Sequence, residues 1–289
     1  VGRVTLFQAL ILALLQGTTE LFPVSSLGHT ILIPALFHWT NIHRSDPTFL
    51  PFVVTLHLGT ALALILFYRR EWWKIVGALI RSVIRGRLSE DPHERLGWLL
   101  VVGTIPVGIL GLLLEKTVRA LFASALLASL FLIANGAIMF FGEALRRRQL
   151  AVEHRGDRPL ERLSWFQAVL VGLGQSFALL PGISRSGASM VTGLLCDLDH
   201  ADAARYSFML ATPVILAASL LKIPDLFRAG AHVALVESLV GGIVSGIAAY
   251  FSVAFLTRYF RSNDLRPFGW YCLLLGLLGS ILAWKGIIS

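Results

Sequence analysis

The chain has 289 residues, 56% of them hydrophobic and only 15% charged, with a mean hydropathy of +0.74. That balance excludes a soluble globular protein and a disordered one, because several apolar runs approach the roughly 20 residues needed to cross a bilayer. The formal net charge of +8 does not make nucleic acid a partner, since the basic residues cluster between the apolar runs, as positive-inside topology requires. Cys196 and Cys272 both lie in apolar stretches and indicate no disulfide or metal framework. The first residues carry no cleavable leader pattern.

In chain order, residues 4–21 and 28–39 are apolar but short, and polar residues and Pro23 separate them. Together they predict a re-entrant helical hairpin, which is tolerated where protein or a cavity satisfies the broken backbone. Residues 49–68 form a full span closed by Arg69, Arg70 and the interfacial pair Trp72 and Trp73. Residues 71–87 predict an amphipathic surface helix with a basic polar face. Spans follow at 97–114, where Pro106 is a kink site, and at 120–141. An arginine-rich linker at 143–162, with Gly156 and Pro159, is the one internal boundary. Beyond it the pattern restarts, with short apolar segments at 165–180 and 188–198 around a Pro-Gly-Ile-Ser-Arg-Ser-Gly turn. Spans at 203–221, 235–259 and 268–288 complete the chain.

Each half therefore reads as two short segments and three spans. At a constant offset of 159, Gln16 matches Gln175, Ser25 matches Ser184, Gly28 matches Gly187 and Thr30 meets Ser189. Three spans are an odd number, so the second half enters the membrane upside down, an architecture whose broken segments meet near the midplane. With the loop after Tyr68 placed in the cytoplasm, 17 lysines and arginines fall on that side and 7 on the other, Arg185 set aside. The expected fold is an all-α polytopic membrane protein with an inverted-topology repeat. Residues 1–143 form one repeat, 144–163 a cytoplasmic linker and 164–289 the inverted repeat.

Glu20 and Arg185 are charges at the two breaks. A charge at the bilayer centre costs about 2.5–3.5 kcal/mol even on lenient scales, so each needs a partner or a cavity. Gln16 and Glu20, four apart, share a helix face and suit a hard divalent cation whose shell phosphate completes. Ser25 and Ser26 follow Pro23, and one of them is a natural N-cap. His29 lies three residues beyond Ser26, and a hydroxyl beside an imidazole is the kit of an activated nucleophile. Ser184, Arg185, Ser186 and Gly187 repeat the theme without acid or histidine, as an anion cradle with a forked donor. The first half thus looks like the reacting half and the second like the binding half. His57 and Asn135, single polar residues inside spans, read as helix–helix contacts. Glu237, Asp197, Asp199 and Asp202 read as interfacial.

At Gln16-x-x-x-Glu20, Pro23-Val-Ser-Ser-Leu-Gly-His29 and Pro181-Gly-Ile-Ser-Arg-Ser-Gly187 the chain resembles the integral-membrane undecaprenyl-pyrophosphate phosphatase family. The likeness covers nearly the whole chain. It departs at Leu27, where the family often has threonine, so a hydroxyl there is not essential here. The resemblance implies hydrolysis of a C55 polyprenyl pyrophosphate to the monophosphate, dependence on Mg2+ or Ca2+, and bacitracin tolerance. It also implies a bacterial plasma-membrane location with the site facing outward, and roles for Gln16, Glu20, Ser26, His29, Ser184, Arg185 and Ser186. In the mechanism these readings suggest, Ser26 attacks phosphorus with His29 as its base; attack by His29 or by water is the alternative. The lipid substrate and the bilayer are the expected partners, with a second copy of the chain a further candidate. The competing class is a secondary transporter or lipid flippase with an anion-binding midplane site, because inverted repeats with broken helices are typical of transport.

Overall fold

The computed structural model describes residues 4–42, 49–121, 124–152, 157–226 and 235–288, and all regular structure among them is helical. The order is α1 (Leu6–Thr19), α2 (Ser26–Leu36), α3 (Phe49–Phe67), α4 (Arg69–Arg85), α5 (Pro92–Leu121), α6 (Ala125–Val152), α7 (Trp165–Ser176), α8 (Arg185–Leu195), α9 (His200–Leu226), α10 (Leu235–Tyr259) and α11 (Arg266–Trp284). Single 3-10 turns occupy Leu160–Arg162 and Phe177–Leu179.

Five helices are long and apolar enough to cross a bilayer: α5, α6, α9, α10 and α11. The apolar helix α3 is bent by 87° from α4. This bend agrees with the expected surface helix: α4 buries Ile75 and Ala78 and leaves Trp73, Val76, Ile80, Val83 and Ile84 as an outward apolar stripe. The pairs α1/α2 and α7/α8 contain 14, 11, 12 and 11 residues. At 1.5 Å per residue each is too short for the ~30 Å hydrocarbon core.

Part of the expected linker is helical, because α6 continues to Val152. Glu143 to Gln149 are mostly good helix formers, so the helix outlasts the apolar run. The linker then docks. Arg95 Nε donates to the Glu161 carbonyl at 2.7 Å and its Nη2 to the Leu163 carbonyl at 2.8 Å. Arg205 pairs with Glu71 and, at 3.2 Å, with Glu161. Arg147 lies 3.5 Å from Asp264, and His200 lies 2.8 Å from Glu143. The segments carrying most of the basic excess thus meet at one end of the molecule. Arg3, Arg44 and Arg228, counted on the other face, lie outside the described residues.

The two halves interleave. The broken helix α1 packs on α10 and its counterpart α7 on α5, while α6 packs on α11. Small residues permit the close approach. A β-carbon at Gly17 would sit 2.1 Å from the Ser245 carbonyl oxygen, and one at Gly172 would sit 2.4 Å from that of Gly103. Both broken helices also begin with the same capping box, Thr5 with Gln8 and Ser164 with Gln167. These residues again stand 159 apart, the same offset as Gln16 and Gln175.

Candidate active site

The first hairpin breaks where α1 ends at Thr19, with Glu20 as its C-cap. A tight turn through Pro23 follows, in which the Val24 amide donates to the Phe22 carbonyl at 2.7 Å. Ser25 caps α2, its hydroxyl accepting from the Gly28 amide at 3.2 Å. Ser184 caps α8 in the same way, accepting from the Gly187 amide at 3.2 Å. The backbones differ. Ser184 is extended at φ −86°, whereas Ser25 sits at φ 66°. A non-glycine residue in that region costs about 1–3 kcal/mol and persists only where its surroundings hold it.

The two hairpins touch, as the sequence requires if they form one site. The Ser186 hydroxyl donates to the Phe22 carbonyl at 3.1 Å and lies 3.0 Å from the Ser184 hydroxyl. A β-carbon at Gly187 would stand 3.3 Å from that of Pro23. Asn135 of α6 ties the loops together. Its Nδ2 donates to the Pro23 carbonyl at 3.0 Å and its Oδ1 accepts from the Ser184 amide at 2.9 Å.

Glu20 is the focus. The Ser26 hydroxyl donates to its Oε2 at 2.6 Å and Gln16 Nε2 to the same oxygen at 3.0 Å. His57 Nε2 lies 3.5 Å from Oε2, and Arg185 Nε donates to Oε1 at 3.4 Å. Arg185 Nη1 donates to the Ser207 carbonyl at 3.1 Å, and Nη2 is buried with no hydrogen-bond partner among the described residues. A buried donor left unpaired costs about 1–3 kcal/mol, which makes this fork a waiting anion ligand. A structural ion pair between the halves needs only Glu20 and Arg185. Here a hydroxyl, an amide and an imidazole converge on the same carboxylate.

Glu20, Ser26, His57 and Arg185 line a cavity of about 190 Å³ between the hairpins. Thr19, Glu20, Ser25, Ser26, His57, Gln175, Ser184 and Arg185 supply its polar wall, and Leu27, Val107 and Leu179 its apolar one. The amphipathic lining suits a charged head on an apolar chain.

Several expected placements change. His29 is buried, but the structure does not bring it to the Ser26 hydroxyl. Its Nδ1 lies 2.7 Å from the Ser25 carbonyl and its Nε2 lies 2.7 Å from the Tyr271 hydroxyl. Ser26 meets Glu20 instead, because the first turn of α2 aims Ser26 back at the C-cap of α1. The Gly187 amide serves the Ser184 cap, and the Ser184 and Ser186 hydroxyls reach across to Phe22. The cradle thus stitches the loops together, and Arg185 carries the free donor. Of the two weaker candidates read as helix–helix contacts, His57 lines the cavity beside Glu20 and Asn135 bonds both hairpin loops. Gln175 also lines the cavity, and the offset match to Gln16 was the signal for it.

A divalent cation fits these residues in one manner. Among the described residues no three His, Cys, Asp or Glu side chains cluster as a closed metal cage. Glu20 with the Ser26 hydroxyl, and with Gln16 once its amide turns the oxygen toward the carboxylate, would supply a donor set for a hard cation, phosphate and water completing the shell.

Five helices long and apolar enough to cross a bilayer, with a carboxylate, a hydroxyl and a guanidinium facing one cavity between two pairs of short apolar helices, define a polytopic membrane protein with a polar internal cavity. The chain belongs to the bacitracin resistance protein BacA family, whose model matches residues 9–278. It is 49% identical to undecaprenyl-diphosphatase 2 of Chromobacterium violaceum, covering 94% of this chain and 96% of the relative. It is 46% identical to the undecaprenyl-diphosphatase of Acidiphilium cryptum, over 95% and 96% of the two chains. Undecaprenyl-diphosphatase 2 of Frankia alni is 43% identical, over 96% and 98%.

Proposed function

We propose that the protein hydrolyses undecaprenyl pyrophosphate to undecaprenyl phosphate and inorganic phosphate, regenerating a cell-wall lipid carrier and supporting bacitracin tolerance. The observation that carries this reading is the convergence of Ser26, Gln16, His57 and Arg185 on Glu20, with one guanidinium nitrogen unpartnered among the described residues. The names of the relatives point to the same substrate.

Phosphoryl transfer is mostly positioning and charge neutralisation. The Arg185 fork binds oxygens of the pyrophosphate. Ser26 Oγ attacks the terminal phosphorus and its proton passes to Glu20 Oε2, the acceptor it already faces; undecaprenyl phosphate leaves and carries that proton away from Glu20. Water then attacks the phosphoserine, giving one proton to Glu20. Inorganic phosphate leaves, and Ser26 recovers its proton. Glu20 and Gln16 would hold a divalent cation, Mg2+ or Ca2+, which when bound neutralises charge on the phosphates.

The halves 1–143 and 164–289, joined by 144–163, are read as an inverted repeat in a bacterial inner membrane, with the cavity facing outward. The matched capping boxes and the exchanged packing of α1 and α7 support the repeat.

The test is phosphate release from undecaprenyl pyrophosphate by purified protein in detergent, with and without chelator. Release that chelator abolishes and Mg2+ or Ca2+ restores is expected. Because detergent leaves no compartments, a protein that only transports or flips the lipid releases nothing. Trapped phosphoenzyme carrying its label anywhere but Ser26 would replace the serine in this scheme.

A further inference from the structure

We infer that Tyr271 and His29 form a positioning lock that holds Ser25 in its left-handed conformation and so aims the neighbouring Ser26 hydroxyl at Glu20. The inference rests on the phosphatase reading above.

A carbonyl oxygen can only accept, so His29 Nδ1, 2.7 Å from the Ser25 carbonyl, carries the hydrogen. His29 Nε2 then presents a lone pair, and the Tyr271 hydroxyl 2.7 Å away donates to it. The two rings are near parallel, 7° apart with centroids at 5.7 Å. Both ring nitrogens are thereby engaged, which leaves the imidazole no free lone pair for a hydroxyl. The Ser25 carbonyl receives two donors, His29 Nδ1 and, at 3.3 Å, the His29 amide. Both fix the orientation of the peptide unit between Ser25 and Ser26.

The second half supplies an internal control. Ser184 caps its helix with the same hydroxyl-to-amide bond, but its φ is −86°, and the residue four positions on is Ala188. Of these two caps, the left-handed one is the one with a histidine four positions on. Tyr271, 242 residues from His29, reaches it from α11.

Glycine adopts positive φ without a side-chain penalty, so Ser25→Gly removes the need for a lock. The experiment is a double-mutant cycle on Ser25→Gly and Tyr271→Phe, a substitution that keeps the ring and removes one hydroxyl. It measures kcat, KM and the thermal unfolding midpoint in detergent. In the parent background Tyr271→Phe is expected to lower kcat about tenfold, as for one lost buried hydrogen bond, with KM within about threefold. In the Ser25→Gly background the same substitution changes kcat by less than about twofold. Ser25→Gly also raises the unfolding midpoint more in the Tyr271→Phe protein than in the parent, a readout independent of activity.

An equal loss in both backgrounds overturns the inference, because His29 then acts on the chemistry directly. No loss from Tyr271→Phe overturns it as well, since nothing is being locked. A parent protein that releases no phosphate points instead to failure of the phosphatase reading, and the unfolding midpoints still decide whether the lock exists.

Discussion

Arg185 acts through geometry as much as through charge. Its Nε holds Glu20 and its Nη1 the Ser207 carbonyl, while Nη2 has no hydrogen-bond partner among the described residues. Lysine keeps the charge but cannot serve three directions at once. Arg185→Lys is therefore expected to lower kcat roughly 10- to 100-fold in a phosphate-release assay, the worth of one or two charge-assisted bonds. Glu20 and Arg185 were legible in the sequence because charges in apolar runs demand explanation. The contacts of Asn135 were not, since one amide inside a span looks the same whether it joins two helices or the two hairpin loops. Asn135→Leu leaves the Ser184 amide and the Pro23 carbonyl without that partner. It is expected to lower unfolding stability by roughly 2 kcal/mol and kcat by more than tenfold. Unchanged kcat in folded protein would mean the loops hold their spacing without it.

At the scale of elements, short helices ending inside the membrane are tolerable only because neighbours occupy their broken ends. The lengths of α1, α2, α7 and α8 were readable from the apolar runs, and so was the point of each break. Their partners were not, because packing of α1 on α10 and α7 on α5 joins segments far apart in sequence. Gly17 shows how tight that packing is. A β-carbon there would stand 2.1 Å from the Ser245 carbonyl oxygen, so Gly17→Leu forces backbone apart. A loss of at least about 1–3 kcal/mol, read as a lower unfolding midpoint in detergent, is expected. The surface helix α4 was legible in the sequence, since Arg69 and Arg70 end the apolar run; its bend from α3 and its exposed stripe from Trp73 to Ile84 are what the structure adds.

Taken as a whole, the molecule gathers the α4 region, the linker, the start of α9 and the turn before α11 at one end through ion pairs. The proposed inverted topology places that end in the cytoplasm. Single cysteines at Gly86 and Asn263 should resist a membrane-impermeant thiol reagent in intact cells, while cysteines at Thr40 and Gly286 should react. Native Cys196 and Cys272 are buried and give little background. Labelling of Gly86→Cys from outside would refute the orientation.

The central claim is that the two hairpins make one reaction centre, and it is tested most directly by phosphate release from Glu20→Gln, Arg185→Gln and the double variant. If both residues serve one site, each single change lowers kcat/KM by at least about 100-fold and the double variant is no worse than the weaker single. Losses that multiply, or a single variant with parental activity, would contradict it.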